Sequence, residues 1–495
     1  MPPHTAAQPD LVIREALLID GTGASGLRGD LAVKDDRIVA MGDLATIKGG
    51  REISANGLAL APGFIDTHTH DDRALLSDPL LPCKISQGVT TVITGNCGIS
   101  LAPLSITRYP PPPLDIIARE PEQFFPTFDQ YLSALDRDPP ALNAACQVGH
   151  TTLRAGAMDA FDRPATAGEI GAMRRVLETA LEQGAIGMST GLYYPPAKDA
   201  PTEEVIELAK PMRAYGGIHT THMRDEASHL IRSVNETIAI GKASGVPVVI
   251  SHHKASGTQN HGLVKDSLKL IDEARKSQAL GLDVYPYVAA STMLDARRIA
   301  ASSKIIVTWS KSMPEHAGQA LDAIAKKLGC TMEQAVEKLV PAGAIYFMMS
   351  EDDVRHVLSY PHTMIGSDGL PHDQHPHPRL WGTFPRVLGH YVRDVKLFPL
   401  EEAVRRMTAL PAAQFGLKDR GMLRPGAYAD LVLFDPATIA DTATFEKPKT
   451  PAAGIARVMV NGRTVWCDGA ATGERPGRAL RRGALGPMGG NMPLH

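Results

Sequence analysis

Eight short apolar segments, separated by helical stretches, constrain the fold more than any other feature of this chain. The intervening stretches, such as AGEIGAMRRVLETALEQG and PTEEVIELAKPMRAYG, have the periodicity of amphipathic helices. Strands that alternate with helices form parallel βαβ units, and eight such units predict a (β/α)8 barrel. The predicted strands are LALAPGFID (58–66), VTTVITG (89–95), ALNAACQVG (141–149), AIGMST (185–190), GIHTTH (217–222), VPVVISH (246–252), GLDVYPY (281–287) and TMIGSD (363–368).

The two ends of the chain have a different pattern, in which apolar and polar residues alternate around hairpin signals such as Asn461-Gly462. Residues 1–62 and 415–480 are therefore predicted to form one small β-sandwich domain beside a catalytic barrel at 63–414. The long interval before the eighth strand contains the helical pattern KKLGCTMEQAVEKLV. It predicts a helical insertion at about 293–350, over the barrel mouth.

Composition excludes several classes of partner. The chain of 495 residues has a net charge of −3 and no arginine-rich run, so neither nucleic acid nor an anionic membrane is an expected partner. No apolar run approaches the roughly 20 residues of a membrane span, and no signal peptide is visible. Five scattered cysteines favour the reducing cytoplasm. The sequence does not indicate an oligomeric state.

Metal-ligating residue types stand at the carboxyl ends of the predicted strands. The first strand runs into HTHDD, where His68 and His70 are two residues apart and would point to the same side. Each residue of this kind has an ordinary structural role when taken alone, as a buried thiol or a turn former. In a barrel, however, the strand ends surround one cavity, so their joint occurrence predicts a metal site. The candidate ligands are His68, His70, Cys97, His222, His252 and Asp368.

A thiolate and two imidazoles suit zinc better than magnesium or calcium. Cys97, His222 and His252 are therefore the predicted tight site. His68, His70 and Asp368 could form a second, weaker site beside it. Zinc lowers the pKa of bound water to about 7. Asp368 could accept a proton from water and return it to a leaving amine, which predicts hydrolysis of an amide or related bond.

The segments APGFIDTHTHDD, TGNCG, THMRDE, SHHK and GSDG together resemble the amidohydrolase superfamily and, within it, the N-acyl-D-amino-acid deacylases, or D-aminoacylases. The resemblance extends to the C-terminal segment GMLRPGAYADLVLFD and covers nearly the whole chain. Most binuclear relatives use a carboxylated lysine on strand four, whereas AIGMSTG has none. The cysteine of TGNCG is what the D-aminoacylases use instead. The resemblance thus implies zinc at Cys97, His222 and His252, with Asp368 as acid and base.

The same resemblance implies a small-molecule substrate and the residues that would bind it. Arg379 is implied as the partner of the substrate α-carboxylate, since arginine binds planar carboxylates with two hydrogen bonds. The other implied pocket residues are Lys254, Tyr285, Ser291 and Tyr194. Lys254 could equally be a surface lysine after a strand, and Tyr285 an aromatic residue of the barrel wall.

The stretch MLDARRIAA resembles the branch that acts on N-acyl-D-glutamate, where an arginine meets the side-chain carboxylate of the substrate. Arg298 matches that arginine, which makes N-acyl-D-glutamate the predicted substrate. N-acyl-D-aspartate and hydrophobic N-acyl-D-amino acids are the alternatives. Structurally, Arg297 and Arg298 could instead pair with acidic residues further along the chain: Glu351, Asp352 and Asp353.

Two other functions are compatible with the predicted barrel. One is hydrolysis of cyclic amides, as in dihydroorotases and hydantoinases, which the missing lysine on strand four disfavours. The other is a metal-free scaffold protein, which the complete set of candidate ligands disfavours.

Overall fold

A computed structural model describes residues 8–482. The strands are β1 Leu11–Leu18, β2 Leu27–Lys34, β3 Arg37–Gly42, β4 Arg51–Ser54, β5 Ala59–Pro62, β6 Phe64–Asp66, β7 Val89–Thr94, β8 Asn143–Cys146, β9 Val148–Gly149, β10 Gly187–Gly191, β11 Ile218–His222, β12 Val248–Ile250, β13 Leu280–Val284, β14 Ala289–Met293, β15 Lys304–Ser310, β16 Ala342–Phe347, β17 Thr363–Ile365, β18 Leu431–Phe434, β19 Ile455–Val460, β20 Arg463–Cys467, β21 Ala470–Ala471 and β22 Ala479–Leu480.

The α-helices are α1 Ala74–Ser77, α2 Pro82–Ile85, α3 Phe128–Arg137, α4 His150–Ala157, α5 Ala167–Glu182, α6 Pro195–Lys198, α7 Thr202–Ala209, α8 Leu230–Ser244, α9 Val264–Arg275, α10 Leu321–Leu328, α11 Met332–Leu339, α12 Glu351–Ser359, α13 Arg379–Arg386, α14 Leu400–Met407 and α15 Ala409–Phe415. A π-helix at Val387–Asp394 continues α13. Short 3-10 turns lie at Leu114–Ile116, Pro121–Gln123, Lys210–Tyr215, Thr258–Asn260, Ala296–Arg298 and Pro314–His316.

The predicted barrel is confirmed, and each of the eight predicted segments contains a barrel strand. Parallel pairing runs through β6, β7 and β8, and then from β9 through β10, β11, β12 and β13 to β17. Strands β8 and β9 are two parts of one strand, interrupted at Gln147. The ring closes where the Thr67 amide donates to the Ile365 carbonyl at 3.4 Å and Thr69 pairs with Gly369. The carboxyl ends of all the strands therefore surround one opening.

The barrel strands are buried on both faces, as expected for a parallel sheet covered by helices. All six residues of β7 are buried, for example. In the outer layer of helices, α5 shows how the sequence determines where a helix begins and which of its faces is buried. Thr166 and Glu169 form a reciprocal capping box at its start, and the residues of its inner face, such as Met173 and Leu177, are buried.

The terminal segments form one nine-stranded sheet that contains β1–β5 and β18–β21. Its strands share a core that includes Ile13, Leu31, Leu60, Leu433 and Met459, so the sheet curls around its own apolar face. The predicted hairpin at Asn461-Gly462 is present, with left-handed φ values of 46° and 79°. One boundary differs from the prediction: β22 leaves this sheet and pairs with β8 of the barrel.

The insertion before the last barrel strand is helical only in part, which corrects the prediction for 293–350. Besides α10 and α11 it contains the antiparallel sheet β14-β16-β15. Its strand sequences, such as AGAIYF in β16, are short continuous apolar runs. Such runs cannot be assigned to strand or helix by periodicity alone. The insertion has its own core, which includes Val307, Leu321, Leu339 and Tyr346 and also contacts Tyr285 of the barrel.

No helix among residues 8–482 is long and apolar enough to span a bilayer.

A buried ion cluster fastens α4 to α7. Glu204 accepts hydrogen bonds from His150, at 2.9 Å, and from Arg154. Burial raises the pKa of Glu204, but His150 and Arg154 outweigh it and lower the pKa from 4.5 to about 2. A carboxylate with a lowered pKa stabilises the fold above its unfolded pKa, and this contribution is lost as the pH falls towards the folded pKa.

Glu204→Gln is therefore expected to lower the free energy of unfolding at pH 7 by about 3 kcal/mol. The loss of stability of the wild-type chain between pH 4.5 and about 2 should become shallower in the variant. Urea denaturation at several pH values measures both effects. Glu203→Gln changes an exposed carboxylate on the same helix and is the control. Equal pH dependence in the wild-type chain and Glu204→Gln would contradict this account.

Candidate active site

A cavity of about 440 Å³ lies at the carboxyl ends of the barrel strands. Its lining contains most of the predicted site residues, together with an apolar group and a few further polar side chains. The potential metal ligands in the lining are His70, Cys97, His222, His252 and Asp368. The polar residues are Tyr194, Glu226, Lys254, Tyr285, Ser291, Thr292 and Arg298. The apolar residues are Ile99, Pro113, Ile116, Ala290 and Leu370.

The thiol of Cys97 is the centre of this arrangement. Its Sγ lies 3.2 Å from His68 Nε2, 3.4 Å from His252 Nε2 and 3.7 Å from His222 Nδ1. These residues come from the ends of four different barrel strands, and His252 is 155 positions from Cys97 in sequence. The structure thus brings the three residues of the predicted tight site together, with His68 in contact as well.

The predicted second set forms a cluster beside the first. One oxygen of Asp368, Oδ1, lies 3.5 Å from His68 Nε2 and 3.3 Å from His70 Nε2. Because His68 contacts both Cys97 and Asp368, it joins the two sets. The two aspartates that follow His70 do not join them: Asp71 faces Lys84 at 3.3 Å, and Asp72 is buried outside the cavity lining.

Three of these residues have a left-handed backbone conformation, which residues other than glycine rarely adopt. The φ angles are 53° at Cys97, 38° at His252 and 49° at Asp368. Such positions cost about 1–3 kcal/mol each and persist where the surroundings fix them. At all three strand ends, this backbone conformation turns the side chain towards the cavity.

Electrostatics favour the ionised forms of the thiol and the carboxyl group. Burial raises the pKa of Cys97, but the His68 and His252 rings outweigh it and hold the pKa well below its usual range. Burial likewise raises the pKa of Asp368, but Arg379 and His68 outweigh it and keep the pKa well below its usual range. The cavity therefore offers a thiolate and a carboxylate among imidazoles.

This donor set fits a metal ion of the zinc type. The Cys97 sulfur lies within 3.7 Å of a nitrogen of three imidazole rings. Ring nitrogens such as His222 Nε2 and His70 Nδ1 have no hydrogen-bond partner among residues 8–482. Soft thiolate with imidazole is the combination that zinc prefers, whereas magnesium and calcium prefer oxygen ligands.

Most of the predicted substrate-binding residues line the cavity: Lys254, Tyr285, Ser291, Arg298 and Tyr194. The Tyr194 hydroxyl lies 3.1 Å from that of Thr292, while the hydroxyls of Tyr285 and Ser291 have no partner within residues 8–482. Arg379 differs from the others. It is fully buried behind the lining, its Nη1 lies 2.9 Å from Asp368 Oδ2, and its guanidinium stacks over the Tyr285 ring at 4.4 Å.

The cations of the site differ in their partners. Lys254 pairs with Glu226 at 2.8 Å and Arg379 with Asp368. Arg298 has no ion-pair partner among residues 8–482. In particular, it does not pair with Glu351, Asp352 or Asp353, which the sequence offered as possible partners. Its guanidinium lies against the rings of Tyr193, at 4.6 Å, and Tyr346, at 5.4 Å. Arg297 instead binds Asp295 and is exposed. Arg298 is therefore a half-buried cation in the cavity lining that can accept an anionic ligand.

Sequence reasoning missed three residues that orient the site. Glu226 lies 2.9 Å from His252 Nδ1, which turns Nε2 of that ring towards Cys97. Asp283 accepts the His252 amide at 2.8 Å. Lys84 joins Asp66 at 2.8 Å to Ser367 at 2.7 Å across the barrel seam. The spacing of Glu226 four residues after His222, and an aspartate inside the apolar strand GLDVYPY, were signals for the first two. No sequence signal marks Lys84.

Comparison with known proteins agrees with this geometry. The sequence pattern of the amidohydrolase family matches residues 51–328 and 318–466. The chain is 54% identical to D-aminoacylase of Alcaligenes xylosoxydans xylosoxydans, over 97% of this chain and 99% of that protein. It is 52% identical to N-acyl-D-aspartate deacylase of the same organism, over 96% of each chain.

Solved structures give the same result. A D-aminoacylase whose binuclear metal centre has been described superposes with a TM-score of 0.93 at 54% identity, and the match covers 96% of this chain and all of that one. N-acyl-D-glutamate deacylase from Bordetella bronchiseptica, complexed with zinc and a phosphonate inhibitor, superposes with a TM-score of 0.93 at 45% identity and the same coverage.

Proposed function

The chain belongs to the amidohydrolase family, and we propose on that basis that it hydrolyses N-acyl-D-amino acids to a carboxylic acid and the free D-amino acid. The observation that carries the proposal is the composition of the cavity. A thiolate with three imidazoles, an ionised Asp368 and the unpaired cation of Arg298 face the same small volume. These are the parts needed to cleave an amide beside a carboxylate.

The residues that would hold zinc are Cys97, His222 and His252, with His68, His70 and Asp368 as a second set. Bound there, zinc would polarise the scissile carbonyl and make hydroxide available near neutral pH. Barrel strand β10, with the sequence GMSTG, has no lysine to bridge two metals, which disfavours the cyclic-amide alternative.

Asp368 is placed to move the proton. Its Oδ1 faces His68 and His70 at the cavity, while Arg379 holds Oδ2. The carboxylate would accept a proton from the attacking water and deliver it to the amine nitrogen as the C–N bond breaks. The ion pair with Arg379 fixes the orientation of the carboxylate throughout.

The cavity lining separates the two halves of a substrate. The lining contains Arg298 and Tyr194, which would bind a carboxylate, and the apolar residues Ile99, Ile116 and Leu370. A short acyl group would lie against these apolar residues, with the amide between them and Arg298. Because the α-carboxylate and the acyl carbonyl are then both fixed, only one enantiomer can place its side chain in the remaining space.

Which side chain is preferred depends on the role of Arg298. The sequence-based prediction assigns Arg298 to the side-chain carboxylate of N-acyl-D-glutamate, and it stays a prediction. A substrate with two carboxylates needs two available cations, whereas Lys254 and Arg379 already have anionic partners. We therefore favour Arg298 as the site of the α-carboxylate and a neutral D-side chain as the preferred one, with N-acyl-D-glutamate as the second candidate.

A substrate panel with the Arg298→Leu variant separates these roles. We expect Arg298→Leu to lower kcat/KM about 100-fold or more for N-acetyl-D-leucine, N-acetyl-D-aspartate and N-acetyl-D-glutamate alike, because all three lose the charge partner of their α-carboxylate. Free amine is measured for each substrate. Arg297→Leu, which changes the exposed neighbour, is the matched control.

A loss of activity confined to acidic substrates would support N-acyl-D-glutamate, the second candidate substrate. If Arg298→Leu lost activity only on the two acidic substrates, Arg298 would read the side chain and N-acyl-D-glutamate would be favoured. Unchanged activity on all three would remove Arg298 from substrate binding.

A further inference from the structure

The carboxylate of Asp368 contacts two different groups: the histidines of the second set of potential metal ligands, and the guanidinium of Arg379. Its Oδ1 faces His68 and His70 and belongs to the second set of potential metal ligands. Its Oδ2 is held by Arg379 Nη1 at 2.9 Å. The Arg379 guanidinium is fully buried, so solvent does not screen its charge.

Arg379 is also fixed in place by its other contacts. Its Nη2 donates to the Ser291 carbonyl at 3.1 Å, and its guanidinium stacks on the Tyr285 ring. Its backbone amide donates to His377 Nδ1 at 2.9 Å. The hydrogen bond to Ser291 and the stacking on Tyr285 thus hold the guanidinium beside Asp368.

The two sets of potential metal ligands differ in whether a nearby cation already pairs with their anionic member. The set of Cys97, His222 and His252 includes a thiolate and lies beside Glu226, whose charge is balanced by Lys254. The set of His68, His70 and Asp368 has one carboxylate, and Arg379 already balances it. The carboxylate of the second set would thus be shared between a divalent ion and a buried cation, and the two positive charges would repel each other.

We propose that Arg379 is a positioning residue that keeps the His68–His70–Asp368 set weak for a metal ion, so that the chain holds one ion tightly and Asp368 stays available to substrate. This inference rests on the proposed metal site, but it does not depend on the identity of the substrate.

The test measures zinc binding in the absence of substrate. The full chain is dialysed against buffers with stepwise free Zn²⁺ concentrations, and bound zinc per chain is measured by mass spectrometry of the metal. For the wild-type chain we expect one tight ion and a second, weaker one. In Arg379→Met and Arg379→Gln, we expect the second ion to bind at least 10-fold more tightly, with little change in the first.

Three comparisons keep the result specific. Arg379→Lys retains the charge and should behave like the wild-type chain. Arg298→Met removes a cavity arginine that does not contact Asp368, and it should leave the second ion unchanged. Arg379→Gln retains side-chain hydrogen-bond donors, so a shared effect of the Met and Gln variants reports the lost charge.

Several outcomes would overturn the inference. Unchanged or weaker binding of the second ion in both neutral variants would show that Arg379 does not limit it. Equal weakening of both ions would assign Arg379 a purely structural role. A wild-type chain that bound no zinc would overturn the metal site itself, whereas normal zinc binding without deacylase activity would overturn the proposed reaction and leave the Arg379 inference intact.

Discussion

Asp368→Asn is expected to lower kcat by about 10²–10⁴-fold while bound zinc at the tight site remains near the wild-type level. The amide cannot accept a proton at the position where the carboxylate would, although it has nearly the same shape. The Cys97, His222 and His252 donors do not depend on Asp368. Steady-state kinetics with an N-acetyl-D-amino acid and metal analysis of the same sample measure both quantities.

The matched control for this variant is Asp373→Asn. Asp373 is a buried aspartate five residues along the same segment, and it does not line the cavity. Its replacement should leave kcat within a few-fold of the wild-type value. If Asp368→Asn retained near-normal turnover, Asp368 would not be the group that moves the proton.

Cys97→Ala is expected to weaken zinc binding at the tight site by at least about 100-fold, because a direct ligand contributes more than the outer-sphere partners whose loss costs 10–100-fold. Activity should fall in proportion to the zinc lost. Alanine keeps the Cβ atom at the left-handed φ of 53°, so the variant changes the sulfur without relieving the backbone. Bound zinc is measured after dialysis against buffered Zn²⁺.

Cys146→Ala provides the comparison, because Cys146 is a buried thiol at the end of β8 that lies outside the cavity lining. It should keep its zinc. Full zinc occupancy in Cys97→Ala would show that the thiolate is not a required ligand and would favour the set of His68, His70 and Asp368.

The barrel could be predicted from the sequence because each strand is a short apolar run bounded by turns and followed by a helical pattern. The potential ligands could be predicted because barrel topology places residues as distant as Cys97 and His252 at one rim. Strands of the insertion, such as β16, could not be predicted, since a continuous apolar run is compatible with either helix or strand.

The pairing of charges could not be predicted from the sequence either. Arg379 and Arg298 both follow strand-end segments, and nothing in their local sequence shows that the first binds Asp368 while the second has no anionic partner. That difference depends on distances between segments far apart in the chain, such as the 2.9 Å between Arg379 and Asp368. Glu226 and Lys84 likewise acquire their roles only when strand ends meet.

The measurement that tests the central claim most directly is the rate of amine release by the zinc-loaded chain from the two enantiomers of N-acetylleucine and of N-acetylglutamate. We predict that the D-enantiomer of at least one of them is hydrolysed and that the corresponding L-enantiomer is hydrolysed at least about 100-fold more slowly, because Arg298 and the acyl side fix two of the three substituents. Equal rates for the enantiomers, or no amine release from any of the four compounds, would contradict the assignment as an N-acyl-D-amino-acid deacylase.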